Sequence, residues 1–134
     1  MSFLVDTNVL SELARPSPDA RVVRWASALD ELAISVITLD ELLFGITAKP
    51  NVRVQRWFDT FVEENCRVLE VTPAVARHAG ILRGQLARRG KSRTQADMLL
   101  AATATAHGLT LATRNERDFE GCGIALVNPF TLSA

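Results

Sequence analysis

Five short apolar runs recur along the chain, and turn-forming or polar residues bound each of them. They are rich in Val, Ile and Leu, as are strands that are buried on both faces of a parallel sheet. Helical patterns separate the runs, so the alternation predicts an α/β fold with a mainly parallel sheet of about five strands between helices. The predicted strands cover residues 3–5, 33–37, 66–71, 109–113 and 123–127.

Residues typical of helix N-termini lie between these apolar runs. Ser17 before Pro18, and Thr72 before Pro73, pair an N-cap hydroxyl with a proline at the first helical position. Apolar residues at helical spacing predict two further helices, over residues 51–64 and 95–107. Trp57 lies in the first of them and is predicted to pack in the core or at a dimer contact. Folds of this kind bind ligands beyond the carboxyl ends of their strands.

The composition limits the class of protein. With 134 residues and no linker-like stretch, the chain is expected to form one domain. It has neither a signal-peptide pattern nor an apolar run of about 20 residues, which predicts a cytoplasmic protein without membrane contact. Lys plus Arg and Asp plus Glu both number 15, so the overall charge gives no support for nucleic-acid binding. Any such binding must depend on local features.

Four acidic residues have positions that admit both a structural and a functional interpretation. Asp6 follows the first predicted strand and fits an N-cap. Glu41 and Asp97 each lie three residues after a threonine, which fits a capping box for Glu41 and a first-turn acid for Asp97. Asp118 fits a solvated turn. Each residue therefore has a sufficient structural explanation when it is considered alone.

The four acids together favour a metal site. The carboxyl ends of parallel strands meet at one edge of a sheet, and the helix of Asp97 has no Lys or Arg from Ala96 to Ala106. Converging carboxylates without a cation repel one another unless a divalent ion neutralises them. Oxygen ligands select a hard cation such as Mg²⁺ or Mn²⁺, which can activate water for phosphodiester hydrolysis. The predicted ligands and catalytic residues are Asp6, Glu41, Asp97 and Asp118.

Short polar side chains accompany these acids. They can orient carboxylates and contact phosphate, and they equally fit helix caps and turns. Their positions are Thr7, Asn8, Thr113 and Asn115. Arg93 ends the basic run "RRGKSR" at 88–93, which is either a solvated connection or a contact for RNA phosphates.

Four segments of the chain resemble PIN-domain ribonucleases of the VapC toxin type. They are "FLVDTNVLSEL", "ITLDELLFGI", "QADMLLAATATAHGLTLATRNERDFEG" and "VNPF". The resemblance covers nearly the whole chain and implies a single PIN domain over residues 1–134 with Mg²⁺- or Mn²⁺-dependent endoribonuclease activity. It also implies a homodimer, and a VapB-type antitoxin that lies across the active site and a hydrophobic groove.

The resemblance assigns roles residue by residue. Asp6, Glu41, Asp97 and Asp118 match the four acids of the family, and the polar positions named above match the residues that accompany them. Asp40 departs from the commonest pattern, because many relatives have a small residue there. Adjacent helical residues point about 100° apart, so Glu41 is kept as the ligand and Asp40 is interpreted as solvent-facing or cap-related.

Three other functions compete with this interpretation. A metal-independent ribonuclease would use His78 and His107 as acid and base, but their spacing indicates an apolar helix face and a helix C-terminus instead. A Mg²⁺-binding receiver domain would need an Asp after the third strand and a Lys after the last, and neither is present. A catalytically silent PIN-like regulator that binds RNA or a partner is the principal alternative.

Overall fold

The sheet is built from five strands, all parallel, in the order β3-β2-β1-β4-β5. A computed structural model describes residues 2–132; the predicted domain over 1–134 also includes residues 1, 133 and 134, which lie outside the described part. The strands are β1 Phe3–Val5, β2 Leu32–Ser35, β3 Cys66–Leu69, β4 Thr110–Ala112 and β5 Leu126–Val127. The predicted α/β fold with five parallel strands is confirmed.

Seven α-helices connect or follow the strands in the described residues. They are α1 Thr7–Leu13, α2 Ala20–Ser27, α3 Val36–Ala48, α4 Val52–Trp57, α5 Glu63–Asn65, α6 Pro73–Arg88 and α7 Gln95–His107. A π-helical turn, Phe58–Val62, lies between α4 and α5, so the helix predicted over 51–64 is divided. Short 3₁₀ turns occupy Glu116–Phe119 and Pro129–Thr131. None of the described helices has the length and apolar character to span a bilayer.

An apolar core lies on each face of the sheet, because consecutive residues of a strand point to opposite sides. Leu4 belongs to the core that contains α6 and α7 residues such as Leu82 and Leu100. Val5 belongs to the core that α1 to α4 cover, with residues such as Leu42. Both strand residues are fully buried, which explains why β1 is apolar without alternation.

Several predicted element boundaries are wrong: the strands predicted over 66–71, 109–113 and 123–127 are shorter than predicted, and two other boundaries are moved by a side-chain cap. The helix predicted to begin at Ser17 and Pro18 begins at Ala20, because the side chain of Asp19 accepts the Arg21 N–H at 2.8 Å and caps α2. The strand predicted over 33–37 ends at Ser35, because the Ser35 hydroxyl accepts the Ile37 N–H at 3.0 Å and begins α3. A side-chain cap thus decides the boundary at both places: Asp19 replaces the predicted cap at Ser17, and Ser35 ends the strand within an apolar run.

Other caps are confirmed. Thr72 accepts the Val75 N–H at 3.2 Å, and Pro73 occupies the first turn of α6. The helix predicted over 95–107 has those bounds as α7 and ends at Gly108, whose φ of 62° is a left-handed conformation that favours glycine.

The strand order reverses beside β1. From β1 the chain adds β2 and then β3 on one side, and it later returns to add β4 on the other side. A crevice at the carboxyl edge is expected where the order reverses, and ligands of doubly wound folds bind there. Asp6 follows β1 and Thr113 follows β4, so both lie at this point of reversal.

Candidate active site

Asp6 is a buried acid at the carboxyl end of β1, with only 7% of its surface exposed. It caps α1 as predicted, because one carboxylate oxygen accepts the Thr7 N–H at 2.7 Å. The other oxygen accepts hydrogen bonds from Asn8 Nδ2 at 3.2 Å and Thr113 Oγ1 at 2.9 Å. The capping role and a site role therefore coexist in one side chain.

Thr113 joins the ends of β1 and β4. Its fully buried hydroxyl donates to Asp6, accepts the Asn115 N–H at 3.0 Å and lies 3.4 Å from Asn8 Nδ2. The carbonyl oxygen of the Asn8 side chain in turn accepts the Arg114 N–H at 3.1 Å. Four predicted site residues, from segments more than 100 positions apart, thus form one hydrogen-bonded network.

Glu41 lies in the second turn of α3, so its predicted role in a capping box with Thr38 is wrong. Ser35 caps the helix instead, and Thr38 is fully buried with no hydrogen-bond partner for its hydroxyl among the described residues. The exposed Glu41 carboxylate accepts a hydrogen bond from Thr7 Oγ1 at 2.7 Å. Thr7 therefore connects Glu41 to the segment that carries Asp6.

Asp97 and Asp118 complete the acidic edge. Thr94 caps α7 by accepting the Asp97 N–H at 3.1 Å, which confirms the predicted first-turn position. Asp97 is half-buried, whereas Asp118 is exposed in the 3₁₀ turn that follows Asn115. Asp40 is exposed on α3, as predicted.

The electrostatic effects show that these acids influence one another. Burial raises the pKa of Asp6, and the negative charges of Asp97 and Glu41 raise it further, while its own hydrogen bonds oppose the shift. Burial also raises the pKa of Asp97, with further contributions from Asp118 and Glu41. The charged forms of Asp6 and Asp97 are thus disfavoured in the protein alone.

No cation is paired with these acids in residues 2–132. The ion pairs of that range are Glu12 with Arg15, at 3.2 Å, and Asp19 with Arg21, at 2.8 Å. Arg93 donates from Nη2 to the Glu120 carbonyl oxygen at 3.1 Å, and its buried Nε has no partner in the same range. Its positive charge only partly offsets the effect of burial on the pKa of Asp97.

The donor set fits a hard divalent cation. Each of the four acids carries carboxylate oxygens, the donor type that hard divalent cations prefer, and none of them forms an ion pair in residues 2–132. Among the described residues, no three His, Cys, Asp or Glu side chains already stand together as a metal cluster.

Two features of this region are not predicted from the sequence. Glu12 is buried, and its carboxylate accepts hydrogen bonds from the Asp19 N–H at 2.8 Å and from Arg15 Nη1. The sequence signal for this role is that Glu12 is the single acid among the apolar residues of α1. The second feature is a groove beside Glu41 that contains Lys49 and Arg53. Its residues come from separate segments, so no local pattern indicates it.

Comparison with known proteins identifies the family. The model of the PIN domain family matches residues 3–122. The VapC ribonuclease Y4jK of Sinorhizobium fredii is 36% identical, over 96% of this chain and 97% of that protein. The crystal structure of FitAcB from Neisseria gonorrhoeae superposes with a TM-score of 0.88 at 33% identity, covering 97% of this chain and 99% of that one.

The structure of a third similar protein was determined in complex with DNA. The structure of VapBC2 from Rickettsia felis, bound to a DNA fragment from their promoter, has a TM-score of 0.84 at 26% identity, and covers 96% of this chain and 98% of that one. The five-stranded parallel sheet, with acids where the order of the strands reverses, identifies the class as an α/β protein with an acidic site at the carboxyl edge of its sheet. The chain belongs to the PIN-domain family and, within it, to the VapC-type toxins.

Proposed function

We propose that this protein is the toxin of a type II toxin–antitoxin system and that it cleaves RNA as an Mg²⁺-dependent endoribonuclease, with Mn²⁺ as a possible substitute. The observation that carries the proposal is the group of acids at the carboxyl edge without a paired cation, where burial and neighbouring negative charges raise the pKa values of Asp6 and Asp97. The name of the relative Y4jK, a VapC ribonuclease, supports the same activity. A silent RNA- or partner-binding regulator would have no use for this repulsion.

The proposed ion ligands are the four acids at the edge of the sheet: Asp6, Glu41, Asp97 and Asp118. When bound, a divalent ion neutralises these carboxylates and supplies the positive charge that polarises a phosphoryl oxygen and assists attack by water. In-line attack by water breaks the bond from phosphorus to the 3′ oxygen. The products then carry a 5′ phosphate and a 3′ hydroxyl.

The neighbouring side chains hold the acids in place. Thr7 fixes Glu41 through its 2.7 Å hydrogen bond. Thr113 and Asn8 fix one oxygen of Asp6 and direct its remaining lone pairs. These contacts resemble the outer-shell hydrogen bonds that orient ligands at metal sites.

Arg93 and Asn115 face the substrate in this proposal. Arg93 is half-buried and is held by the Glu120 carbonyl, and its charge lowers the pKa of Asp97, so its guanidinium is the proposed contact for an RNA phosphate beside Asp97. Asn115 is exposed where β4 leads into the 3₁₀ turn. Its side-chain amide is therefore a second contact for the RNA backbone.

The choice of ion and the product ends test the reaction. Purified protein incubated with single-stranded RNA is expected to cleave it with Mg²⁺ or Mn²⁺, and to stop in EDTA, because the acids lose their counter-charge. End-labelling and mass spectrometry should find 5′ phosphates and 3′ hydroxyls. Cleavage that persists in EDTA and yields 2′,3′-cyclic phosphates would instead assign the reaction to the histidines.

The positions of the histidines disfavour that second route. His107 lies near Ser2, Phe3 and Glu31, at the amino ends of β1 and β2, which is the edge of the sheet opposite the acids. His78 is half-buried on α6, the helix that packs with α7 over the other core of the sheet. An acid–base pair must reach one phosphate from both sides, and these two residues belong to different regions.

A VapB-type antitoxin is the proposed protein partner, and the cytoplasm is the proposed compartment. The similar FitAcB and VapBC2 structures support this proposal, and the promoter DNA in the second suggests that the complex also binds DNA. In the cleavage assay above, the antitoxin protein encoded by the neighbouring gene should suppress RNA cleavage. The same assay thus tests the partner and the reaction together.

A homodimer is proposed through α3. Phe44 is 72% exposed and Leu43 is 39% exposed, and both border an open apolar hollow together with Val36 and Leu39. Exposed apolar surface of this kind marks a protein interface. Phe44→Asp is expected to convert the dimer to a monomer in light scattering, because a buried, unpaired carboxylate is costly.

The matched control is Ile81→Asp on α6, where the original side chain is 62% exposed. It introduces the same charge at an exposed apolar position outside the α3 surface, so the dimer should persist. A dimer that survives Phe44→Asp and dissociates with Ile81→Asp would place the interface on α6.

A further inference from the structure

Thr38 is a polar residue on the buried face of α3. Its side chain is fully buried, and the next residues of that face at helical spacing, Leu42 and Ile46, are apolar core residues. The Thr38 hydroxyl has no hydrogen-bond partner among residues 2–132. Valine would fill the same space without a polar atom, and buried polar atoms nearly always have partners. The hydroxyl is therefore an exception that packing alone does not explain.

The other buried polar side chains of the described residues show how unusual this is. The whole set consists of Asp6, Glu12, Ser35, Thr38, Thr103 and Thr113. Every member except Thr38 forms a hydrogen bond with another described residue. Thr103 is the nearest comparison, because it is also a fully buried threonine in a helix. Its hydroxyl donates to the Leu99 carbonyl oxygen, four residues earlier, at 2.7 Å.

The start of α3 explains why Thr38 lacks the contact that Thr103 makes. Thr38 lies in the first turn of α3, three residues after the N-cap Ser35. The residue four positions before Thr38 is Ile34, which belongs to β2 and has an extended backbone. A helical carbonyl at that position is what satisfies a threonine hydroxyl inside a helix. The partner of the Thr38 hydroxyl must therefore come from outside α3.

The first turn of α3 lies at the edge of the sheet that carries the acids. β2 leads directly into α3 and pairs in parallel with β1, which ends next to Asp6. Neighbouring strands are about 4.8 Å apart. Glu41 follows Thr38 by three residues, which makes the two side chains neighbours on the surface of α3. α3 also contacts α1 and α7, and α7 carries Asp97 in its first turn.

A second buried atom without a partner lies beside the same acids. Among residues 2–132, the buried side-chain atoms that lack a hydrogen bond are Thr38 Oγ1 and Arg93 Nε. The charge of Arg93 acts against the rise in the pKa of Asp97, so Arg93 is a neighbour of that acid. Both atoms thus border the acidic edge and neither lies in a distant part of the cores. This distribution indicates that a bound group completes the hydrogen bonding of the edge.

We propose that Thr38 is a positioning residue for the divalent ion, and that its hydroxyl accepts a hydrogen bond from a water of the hydrated ion. This inference rests on the proposed function, because the acids must hold the ion. Mg²⁺ keeps several waters when carboxylates bind it, and the hydrogens of these waters point outward to acceptors. A hydroxyl is a neutral acceptor, so it orients a water without adding to the repulsion among the acids.

Thr38→Val tests the inference, because valine keeps the shape of the side chain and removes the hydroxyl. We would measure the Kd of Mn²⁺ from the EPR signal of the free ion, and the urea midpoint of unfolding in EDTA. Loss of the hydroxyl should raise the Kd of Mn²⁺ roughly tenfold or more. The ion-free midpoint should stay unchanged or rise, because no contact with the protein is lost.

Two variants provide the comparison. Thr38→Ser keeps the hydroxyl and should bind Mn²⁺ nearly as the wild type does, although its ion-free midpoint falls slightly with the lost methyl group. Thr103→Val removes a buried hydroxyl whose partner is a carbonyl of its own helix, and should leave the Kd of Mn²⁺ unchanged.

The outcomes separate this inference from the proposed function. If Thr38→Val binds Mn²⁺ with the wild-type Kd while the wild type cleaves RNA, Thr38 has no part in holding the ion and the ribonuclease proposal stands. An equal loss of Mn²⁺ affinity in Thr38→Val and Thr38→Ser would assign the effect to packing and would also overturn the inference. A wild type that binds no Mn²⁺ and cleaves no RNA would overturn both.

Discussion

Replacing Asp97 with asparagine is expected to reduce RNA cleavage at least 100-fold while the protein stays folded. Loss of an outer-shell partner typically costs about 10- to 100-fold in activity or metal affinity, so loss of a charged ligand should cost at least as much. Burial and the neighbouring acids already raise the pKa of Asp97, so its charge is unfavourable in the ion-free fold. The neutral side chain should therefore leave the ion-free Tm unchanged or raise it.

Two measurements separate a metal role from a general loss of activity. Because Mn²⁺ binds the folded state, it should raise the Tm of the wild type progressively as its concentration exceeds its Kd. It should raise the Tm of Asp97→Asn much less. Asp40→Asn is the matched control, since Asp40 is an exposed acid adjacent to Glu41 on α3. Cleavage by Asp97→Asn at the wild-type rate would refute the assigned ligand role.

Replacing Thr113 with valine is expected to affect both stability and activity. The hydroxyl is fully buried, donates to Asp6 and accepts the Asn115 N–H. Valine has nearly the same shape but leaves these partners unsatisfied, which typically costs about 1–3 kcal/mol in the free energy of unfolding. Cleavage should fall roughly 10- to 100-fold, because Asp6 loses the contact that orients it.

Thr113→Ser keeps the hydroxyl and provides the control. Urea unfolding and initial cleavage rates should place it close to the wild type and well above Thr113→Val, apart from the small cost of a lost methyl group. Equal rates for the valine and serine variants would show that Asp6 is held without Thr113.

Local signals explain which parts of the fold could be predicted. Each strand is an apolar run with polar boundaries, and Thr72 with Pro73 is a cap that needs no distant contact. Two of the errors arose where a polar residue other than the predicted one capped a helix. Ser35 caps α3 within an apolar run. Asp19 caps α2 two residues after the predicted cap, and the backbone N–H of Asp19 donates to Glu12.

The candidate site was predictable only as a set of acids. The position of each acid near a strand end or helix start is visible locally, and parallel topology brings such positions to one edge. The contact between Thr7 and Glu41 was not predictable, because it joins residues 34 positions apart and depends on how α1 packs near α3. The groove beside Glu41 has the same origin, since three helices must pack before Arg15 and Lys49 line the same cavity.

The order of synthesis places a constraint on this toxin. β1 is made first but lies in the centre of the sheet, where Leu4 pairs with Ala33 on one side and Leu111 on the other. A nascent chain that ends before β4 leaves one edge of β1 unpaired and lacks Thr113 beside Asp6. The acidic edge can therefore form only after β4 and Thr113 have been synthesised. We expect chains on the ribosome that lack these residues to have no cleavage activity.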